Sequence, residues 1–308
     1  MKVLITGVTS FIGKALAAEL LAEGIEVYGT VRPGSEKTAE LPEKVNIIEC
    51  DMAHFAELPE SGVRNLYACI HLAWSGSAKE DRMNPEMQKA NVENTLQLIS
   101  AAREMGCERF VFAGSQAEYG ILPGEILETS ECHPVSAYGK AKLEVLRAAS
   151  ERCGQLGMTY IHPRIFSVYG PGDRPTTLVS SCINAFVKGE TVHLSKCAQM
   201  WNFLYISDCA KALADLTTCV FTMAHQAELT EHVVLVGSAE SMPLREYVER
   251  IHKVIGSGAY VLEEKPEPAE GTPQLEPSVR RLQQITGFCE SVSFEEGIRK
   301  TEKRVREK

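Results

Sequence analysis

The feature that most constrains this chain is a strand that runs straight into a glycine turn and then a helix. Lys2-Val3-Leu4-Ile5-Thr6 is a short, nearly unbroken apolar run, the pattern of a strand buried on both faces. After the turn, Ile12, Leu16 and Leu20 share one helical face within an Ala-rich stretch that ends near Glu23. The turn itself is Gly7-Val8-Thr9-Ser10-Phe11-Ile12-Gly13. Such a junction gathers free backbone N–H groups and the positive end of a helix dipole at one spot, a seat for a pyrophosphate. Gly7, Thr9, Ser10, Phe11, Ile12 and Gly13 are therefore the candidate cradle.

The second predicted strand, Ile25 to Val31, follows Gly24 as a helix C-cap. NAD-selective folds place an Asp or Glu at its end to hold the ribose 2′-OH, whereas an Arg suits a 2′-phosphate. This chain offers Thr30, Val31 and Arg32, with no acid before Glu36. A guanidinium forks onto phosphate where an acid repels it, so NADP is the expected cofactor and NAD the alternative.

At 308 residues the chain is long enough for one α/β domain with a smaller companion. A net charge of −9 argues against a nucleic-acid footprint, which needs a basic face. The ten cysteines are scattered with no C-x-x-C pair, so neither a zinc site nor a disulfide frame is expected, and no metal is assigned. No charged leader precedes the first strand, and no apolar run reaches the ~20 residues that span a bilayer. A cytoplasmic protein with reduced thiols and no membrane partner is expected.

Further strands are predicted at Val45–Cys50, Leu66–Leu72, Glu108–Gly114 and Met158–His162. Helices are predicted from Pro85 to Met105, capped by Asn84, and from Ser136 to Cys153, with a last one beginning at Phe294. Glu264 to Pro277, rich in Pro and Glu, reads as a surface loop.

Ser115, Tyr138 and Lys142 carry the chemistry. Hydride addition to a ketone makes an alkoxide that must be protonated as it forms. A tyrosine does this only if its pKa of ~10 is brought toward neutrality. A lysine four residues on lies on the same helical face and favours the phenolate. A serine hydroxyl facing both holds the reacting oxygen.

These segments resemble the extended short-chain dehydrogenases/reductases, in their NAD-dependent epimerase/dehydratase branch, over nearly the whole chain from Lys2 to about Thr301. Gly7, Ser10 and Gly13 resemble the TGxxGxxG turn, with serine at the middle glycine. His71-Leu72-Ala73-Trp74 resembles the HLAA segment, and Ser115 to Gly120 resembles SSxxxYG. Pro163 to Asp173 resembles RPxNVYGPGD, with Ser167 for asparagine; Trp201 to Asp208 resembles RDFxYVDD, with Trp201 for arginine.

The resemblance implies a doubly wound parallel sheet (Rossmann) with a smaller C-terminal α/β substrate domain. The dinucleotide-binding part would take 1–172 and about 201–228, the substrate part about 173–200 and 229–308. It implies cofactor contacts at Asp51 and Met52 (adenine), Leu72, Ala73, Trp74, Tyr138, Lys142, Pro163 and Ile165. Substrate contacts would be Ser115, Tyr119, Ser167, Trp201 and Arg280. For Tyr119, core packing is the other choice; for the Arg280-Arg281 pair, it is solvation. His71 is read as structural, and Asn91 as a brace for the active-site strand. The Trp201–Asp208 stretch would return to the main sheet. A homodimer is expected.

Relatives that dehydrate sugars carry acids straight after the equivalent serine, where this chain has Gln116 and Ala117. That argues against dehydration. The expected activity is NADPH-dependent reduction of a 4-keto nucleotide sugar. The alternatives are a 4-epimerase with bound NAD, an NADPH-dependent reductase of a non-nucleotide aldehyde or ketone, and a non-catalytic NADP-binding protein.

Overall fold

The computed structural model describes residues 1–219, 229–265 and 271–307. The strands of the first half are Lys2–Thr6 (β1), Glu26–Val31 (β2), Asn46–Glu49 (β3), Ala68–His71 (β4), Arg109–Phe112 (β5), Gly114–Ser115 (β6) and Thr159–Ile165 (β7). Then come Ser167–Tyr169 (β8), Thr191–Ser195 (β9), Met200–Trp201 (β10), Phe203–Tyr205 (β11), Val233–Val236 (β12), Met242–Pro243 (β13) and Ala259–Glu263 (β14). The helices are Phe11–Ala22 (α1), Pro85–Glu104 (α2), Ala137–Gln155 (α3) and Leu178–Val187 (α4). Ile206–Thr218 (α5), Leu244–Ile255 (α6), Arg280–Thr286 (α7) and Phe294–Arg306 (α8) complete the set.

One parallel sheet runs in the order β3-β2-β1-β4-β5-β7-β12, with β6 also on β7. This is the expected doubly wound sheet. Strand residues alternate between two apolar layers. Leu4, Phe110 and Phe112 pack with Val92, Ile99 and Val145 of α2 and α3. Val3, Ile5 and Val111 pack with Leu16 and Leu20 of α1 and Leu213 and Leu216 of α5. The strand order reverses between β1 and β4, and a crevice at the carboxyl ends of strands flanking such a reversal is where these sheets bind ligands. A smaller core of Cys182, Ile183, Phe186, Val248, Ile251 and Ile298 joins α4, α6 and α8. The Asp208 carboxylate anchors this part, accepting hydrogen bonds from Ser291 N–H and Oγ and from Val292 N–H.

Three expectations need correction. The Trp201–Asp208 stretch does not rejoin the main sheet: β11 pairs with β8 in a separate two-stranded ladder, and Ile206 already starts α5. The stretch 229–308, expected wholly on the substrate side, contributes β12 to the main sheet edge. Val-Val-Leu-Val there is fully buried, and that apolar run needs two covered faces. Finally, part of the expected Glu264–Pro277 loop is built into the fold. Leu275 is buried, its N–H bonds Met200 O, and Pro277 bridges to Ile126. Residues 266–270 of that loop, and 220–228 within the expected dinucleotide-binding part, lie outside the described residues.

Candidate active site

The glycine turn folds as its sequence demands. Gly7 has a positive φ of 71°, and a Cβ there would lie 2.7 Å from Ala73 N, so only glycine lets the turn close onto the end of β4. At Gly13 a Cβ would meet Gly7 O at 2.3 Å. Ser10, at the family's middle glycine, is the N-cap of α1: its Oγ accepts the Gly13 N–H at 3.0 Å. The first-turn N–H groups of Phe11 and Ile12 stay outside the helix ladder, as an anion seat requires. The turn therefore fits a dinucleotide diphosphate.

Arg32 is exposed at the end of β2, with no protein partner for its guanidinium among the described residues. Nearby, a cavity of about 430 Å³ is lined by Pro33, Cys50, Asp51, His54 and Leu58. Asp51 shapes its edge, its Oδ1 accepting Ala53 N–H and pairing with His54 Nδ1 at 2.7 Å. Met52 lies beside the loop after β4, its Sδ 4.0 Å from Ser75 Oγ. Ala73 faces the glycine turn through its backbone, and Leu72 N–H bonds Thr6 O.

His71 is structural, as read. It is buried between Thr6 Oγ1 (2.5 Å) and Thr95 Oγ1 (3.0 Å), and burial, with the nearby Lys142 charge, holds its imidazole down at about 3. Asn91 braces the loop after β4 rather than a strand, exchanging two hydrogen bonds with the Ser75 backbone.

Ser136 caps α3, accepting the Gly139 N–H, and this starts the helix so that Tyr138 and Lys142 face the end of β5. Tyr138 is half-buried, its ring edge-on to Trp74 at 6.2 Å. Burial pushes the phenol above its ordinary value; a hydrogen bond from Ser115 and the charges of Arg82 and Arg174 pull it back down. Lys142 is buried, donating to Ala113 O at 2.7 Å, with its ammonium 3.8 Å from the Trp74 ring centre and 4.4 Å from that of Phe112. Desolvation brings this amine down to about 7, with Glu118 partly opposing. Ala113 separates β5 from β6, opposite Pro163, which has no N–H to give the ladder.

Pro163 is buried inside β7 opposite Val234, two residues short of the strand end. Ile165, paired with Ser115, reaches that end.

Beneath Ser115 lies an ion cluster that the sequence did not announce. Glu118 is fully buried; it accepts the Ser115 N–H at 2.7 Å and Arg164 Nε at 2.7 Å, and its two oxygens lie 3.0 Å from His162 Nε2. Burial alone would push Glu118 up, but the positive groups facing it outweigh that and hold it low. Burial keeps His162 below its ordinary value, and Tyr160 Oη lies 2.7 Å from His162 Nδ1. A Cβ at Gly114 would sit 2.5 Å from His162 Nε2, so the cluster needs glycine there. A charged Arg inside the apolar run of β7 was the available signal, since buried arginines come paired.

Two expected substrate residues are not brought to the cleft. Tyr119 is 1% exposed, stacked under the Arg164 guanidinium at 4.3 Å, with its hydroxyl donating to Leu127 O. Its ring is spent in the core. Arg280 is exposed, its guanidinium 3.7 Å from Glu125, and is absent from the cleft wall. Ser167 and Trp201 do line the cleft, a cavity of about 510 Å³ that also includes Ser77, Asp173, Arg174 and Thr177. Trp201 Nε1 is buried there without a hydrogen-bond partner among the described residues. Arg174 reaches across to Ser77 Oγ at 3.1 Å.

A glycine-turn cradle and a serine–tyrosine–lysine set are thus assembled at one end of the sheet, and the segment after β7 leads on to the cleft lined by Ser167 and Trp201. The family model of the NAD dependent epimerase/dehydratase family matches residues 3–237. The chain belongs to that family. It is an enzyme of the extended short-chain dehydrogenase/reductase type. It is 28% identical over 276 residues to a Bacillus subtilis (strain 168) protein described as the uncharacterized UDP-glucose epimerase YtcB, covering 84% of each. It is 25% identical to a UDP-glucose 4-epimerase of Corynebacterium glutamicum, over 89% of this chain and 84% of the relative. Among solved structures, MoeE5 in complex with UDP-glucuronic acid and NAD superposes with a TM-score of 0.84 at 26% identity, covering 100% of this chain and 99% of that one. No helix among the described residues is long and apolar enough to cross a membrane.

Proposed function

We propose that this enzyme is a nucleotide-sugar 4-epimerase that uses a bound nicotinamide dinucleotide, with Tyr138 as its acid and base. The observation that carries this is the commitment of Glu118: the nearest acid after Ser115 is locked into Arg164 and His162. The Tyr138 phenol is then the group beside Ser115 that moves protons, and Glu118 is withdrawn from elimination across the ring. Epimerisation at one carbon asks for no more, since the proton taken on oxidation is returned on reduction. The similarity to UDP-glucose and UDP-glucuronate enzymes supports a uridine diphosphate sugar.

The bound dinucleotide would supply reversible hydride exchange. The protein's part is proton handling and orientation. Ser115 holds the reacting hydroxyl toward Tyr138, and the Tyr138 phenolate accepts its proton and later returns it. Lys142, one turn on, supports the phenolate as a cation. The cradle from Gly7 to Gly13 holds the diphosphate through its backbone. Ser167, Trp201 and Arg174 line the space in which the keto sugar would turn over between the two half-reactions.

A second reading keeps the residues and changes the net outcome. Arg32, exposed and without a partner among the described residues where an NAD-selective acid would stand, favours NADP and hence net reduction of a 4-keto nucleotide sugar. One preparation decides between them. Epimerisation predicts that UDP-glucose or UDP-glucuronate is converted to its 4-epimer with no net change in dinucleotide. If NADPH is consumed with a 4-keto sugar nucleotide and no epimer forms, the reductase replaces it.

A further inference from the structure

We propose that Arg82 is a positioning residue for Tyr138, a second cation that holds the phenol ring at the cleft and favours its ionised form. The guanidinium carbon lies 4.5 Å from the centre of the Tyr138 ring. The Lys142 ammonium stands farther off, at 5.7 Å, with its short hydrogen bond given to Ala113 O and its charge turned over Trp74 and Phe112. A cation against the face of a phenol is attracted to the ring, and more so once the ring carries a negative charge.

Arg82 is presented by a built loop. It sits in a 3-10 turn, Lys79–Met83, that follows the Trp74 segment. Gln88, buried in α2, accepts the Trp74 Nε1–H at 2.8 Å and donates to Gly76 O at 2.8 Å and Asp81 O at 3.1 Å. Asn91 clamps Ser75 from the same helix, and Asn84 N–H closes the turn onto Asp81 O. One helix thus fixes both the Trp74 ring against which Tyr138 packs and the turn that lays Arg82 on it. The charged groups facing the phenol are Arg82 from this turn, Arg174 from the segment after β8, Glu118 from the turn before α3, and Lys142 of α3 itself. Arg82 and Arg174 favour the phenolate and Glu118 opposes it.

The proposal rests on Tyr138 as the acid/base group, and its test reads the phenol without any substrate. The full chain is saturated with oxidised dinucleotide, and the ultraviolet phenolate band is followed against pH, with Tyr138→Phe as the blank. Arg82→Met, which keeps the packing stem, is expected to move the Tyr138 midpoint up by about one pH unit, a roughly tenfold loss of phenolate at fixed pH. Arg82→Lys, which keeps the charge, is expected to recover most of that shift. The acidic limb of the kcat profile with a UDP-hexose should move the same way in Arg82→Met, with KM about unchanged. Coincident midpoints for the parent and Arg82→Met would overturn the proposal, as would Arg82→Lys behaving like Arg82→Met. A midpoint shift without turnover of any nucleotide sugar would uphold the role of Arg82 and sink the epimerase reading instead.

Discussion

On the sheet side of the cleft most polar groups are spoken for, Arg164 Nη1 being buried without a partner among the described residues. Lys142 is held by Ala113 O, Ser115 N–H by Glu118, Glu118 by Arg164 and His162, and the loop after β4 by Gln88 and Asn91. The opposite wall is looser. Trp201 Nε1 has no partner among the described residues, Ser167 is half-exposed, and Arg174 of the same wall leans on the half-exposed Ser77. Reacting groups must be held within fractions of an ångström, so the wall that carries them is over-determined. A wall that only recognises its ligand can leave donors for the ligand to satisfy. Chemistry should therefore fail sharply on the first wall and gradually on the second.

The sharpest failure is expected at Tyr138. Tyr138→Phe removes the proton but keeps the ring against Trp74 and Arg82. Turnover should fall by about 10²–10⁴-fold, with dinucleotide affinity unchanged in a fluorescence titration. Equal turnover in the two proteins would remove the phenol from the mechanism and with it the division between the walls.

Next comes the ion cluster under Ser115. Arg164→Met removes the buried cation from Glu118 and leaves its charge to His162 and the Ser115 N–H alone, at a cost of about 3–5 kcal/mol in urea unfolding. Adding Glu118→Gln should restore much of that loss, because the amide needs no counter-charge. The sign with pH follows from Glu118 titrating lower in the folded chain than unfolded. Its contribution is present above the unfolded carboxyl value and lost as pH falls toward the folded one, so Glu118→Gln should flatten the acid limb of stability. A double variant no better than Arg164→Met would show that the arginine acts through packing alone.

These walls also differ in how far the sequence disclosed them. The glycine turn, the buried strands and Tyr138–Lys142 were legible because each is a local pattern: apolar runs, a capped helix, one face of a turn. The Glu118 cluster was not, since it joins a turn to a strand 46 positions later and only the sheet register brings them together. Tyr119 was misplaced for the same reason: its ring is claimed by that cluster's arginine, not by the cleft. Pro163 lies buried in β7, where its missing N–H marks the break at Ala113. β12 could have been read from Val-Val-Leu-Val, but its place at the sheet edge depends on a crossover that no short window contains. Arg280 sits at the start of α7, a position no periodicity could tie to the cleft.

A smaller effect is expected at Arg32, which stands exposed at the end of β2, outside both walls. If its guanidinium meets a 2′-phosphate, Arg32→Ala should reduce the preference for NADP over NAD by about 10–100-fold, the range of one charged hydrogen bond. Competition binding of the two dinucleotides measures this directly. No change in their ratio would mean that Arg32 does not read the 2′-phosphate and would remove its support for net reduction.

The gentlest test bears on the loose wall itself. A buried N–H without an acceptor is unfavourable by about 1–3 kcal/mol, so losing it should not destabilise the empty protein as an ordinary core truncation does. Trp201→Phe removes that donor and part of the ring. If the N–H waits for a substrate oxygen, KM for the nucleotide sugar should rise by about 3- to 10-fold while kcat and the urea midpoint stay close to the parent. A fall in kcat equal to the rise in KM would mean that Trp201 works on the reacting carbon, and the two walls would then share the chemistry. An unchanged KM would leave the indole as packing between the two cores, with recognition resting on Ser167, Thr177 and Arg174.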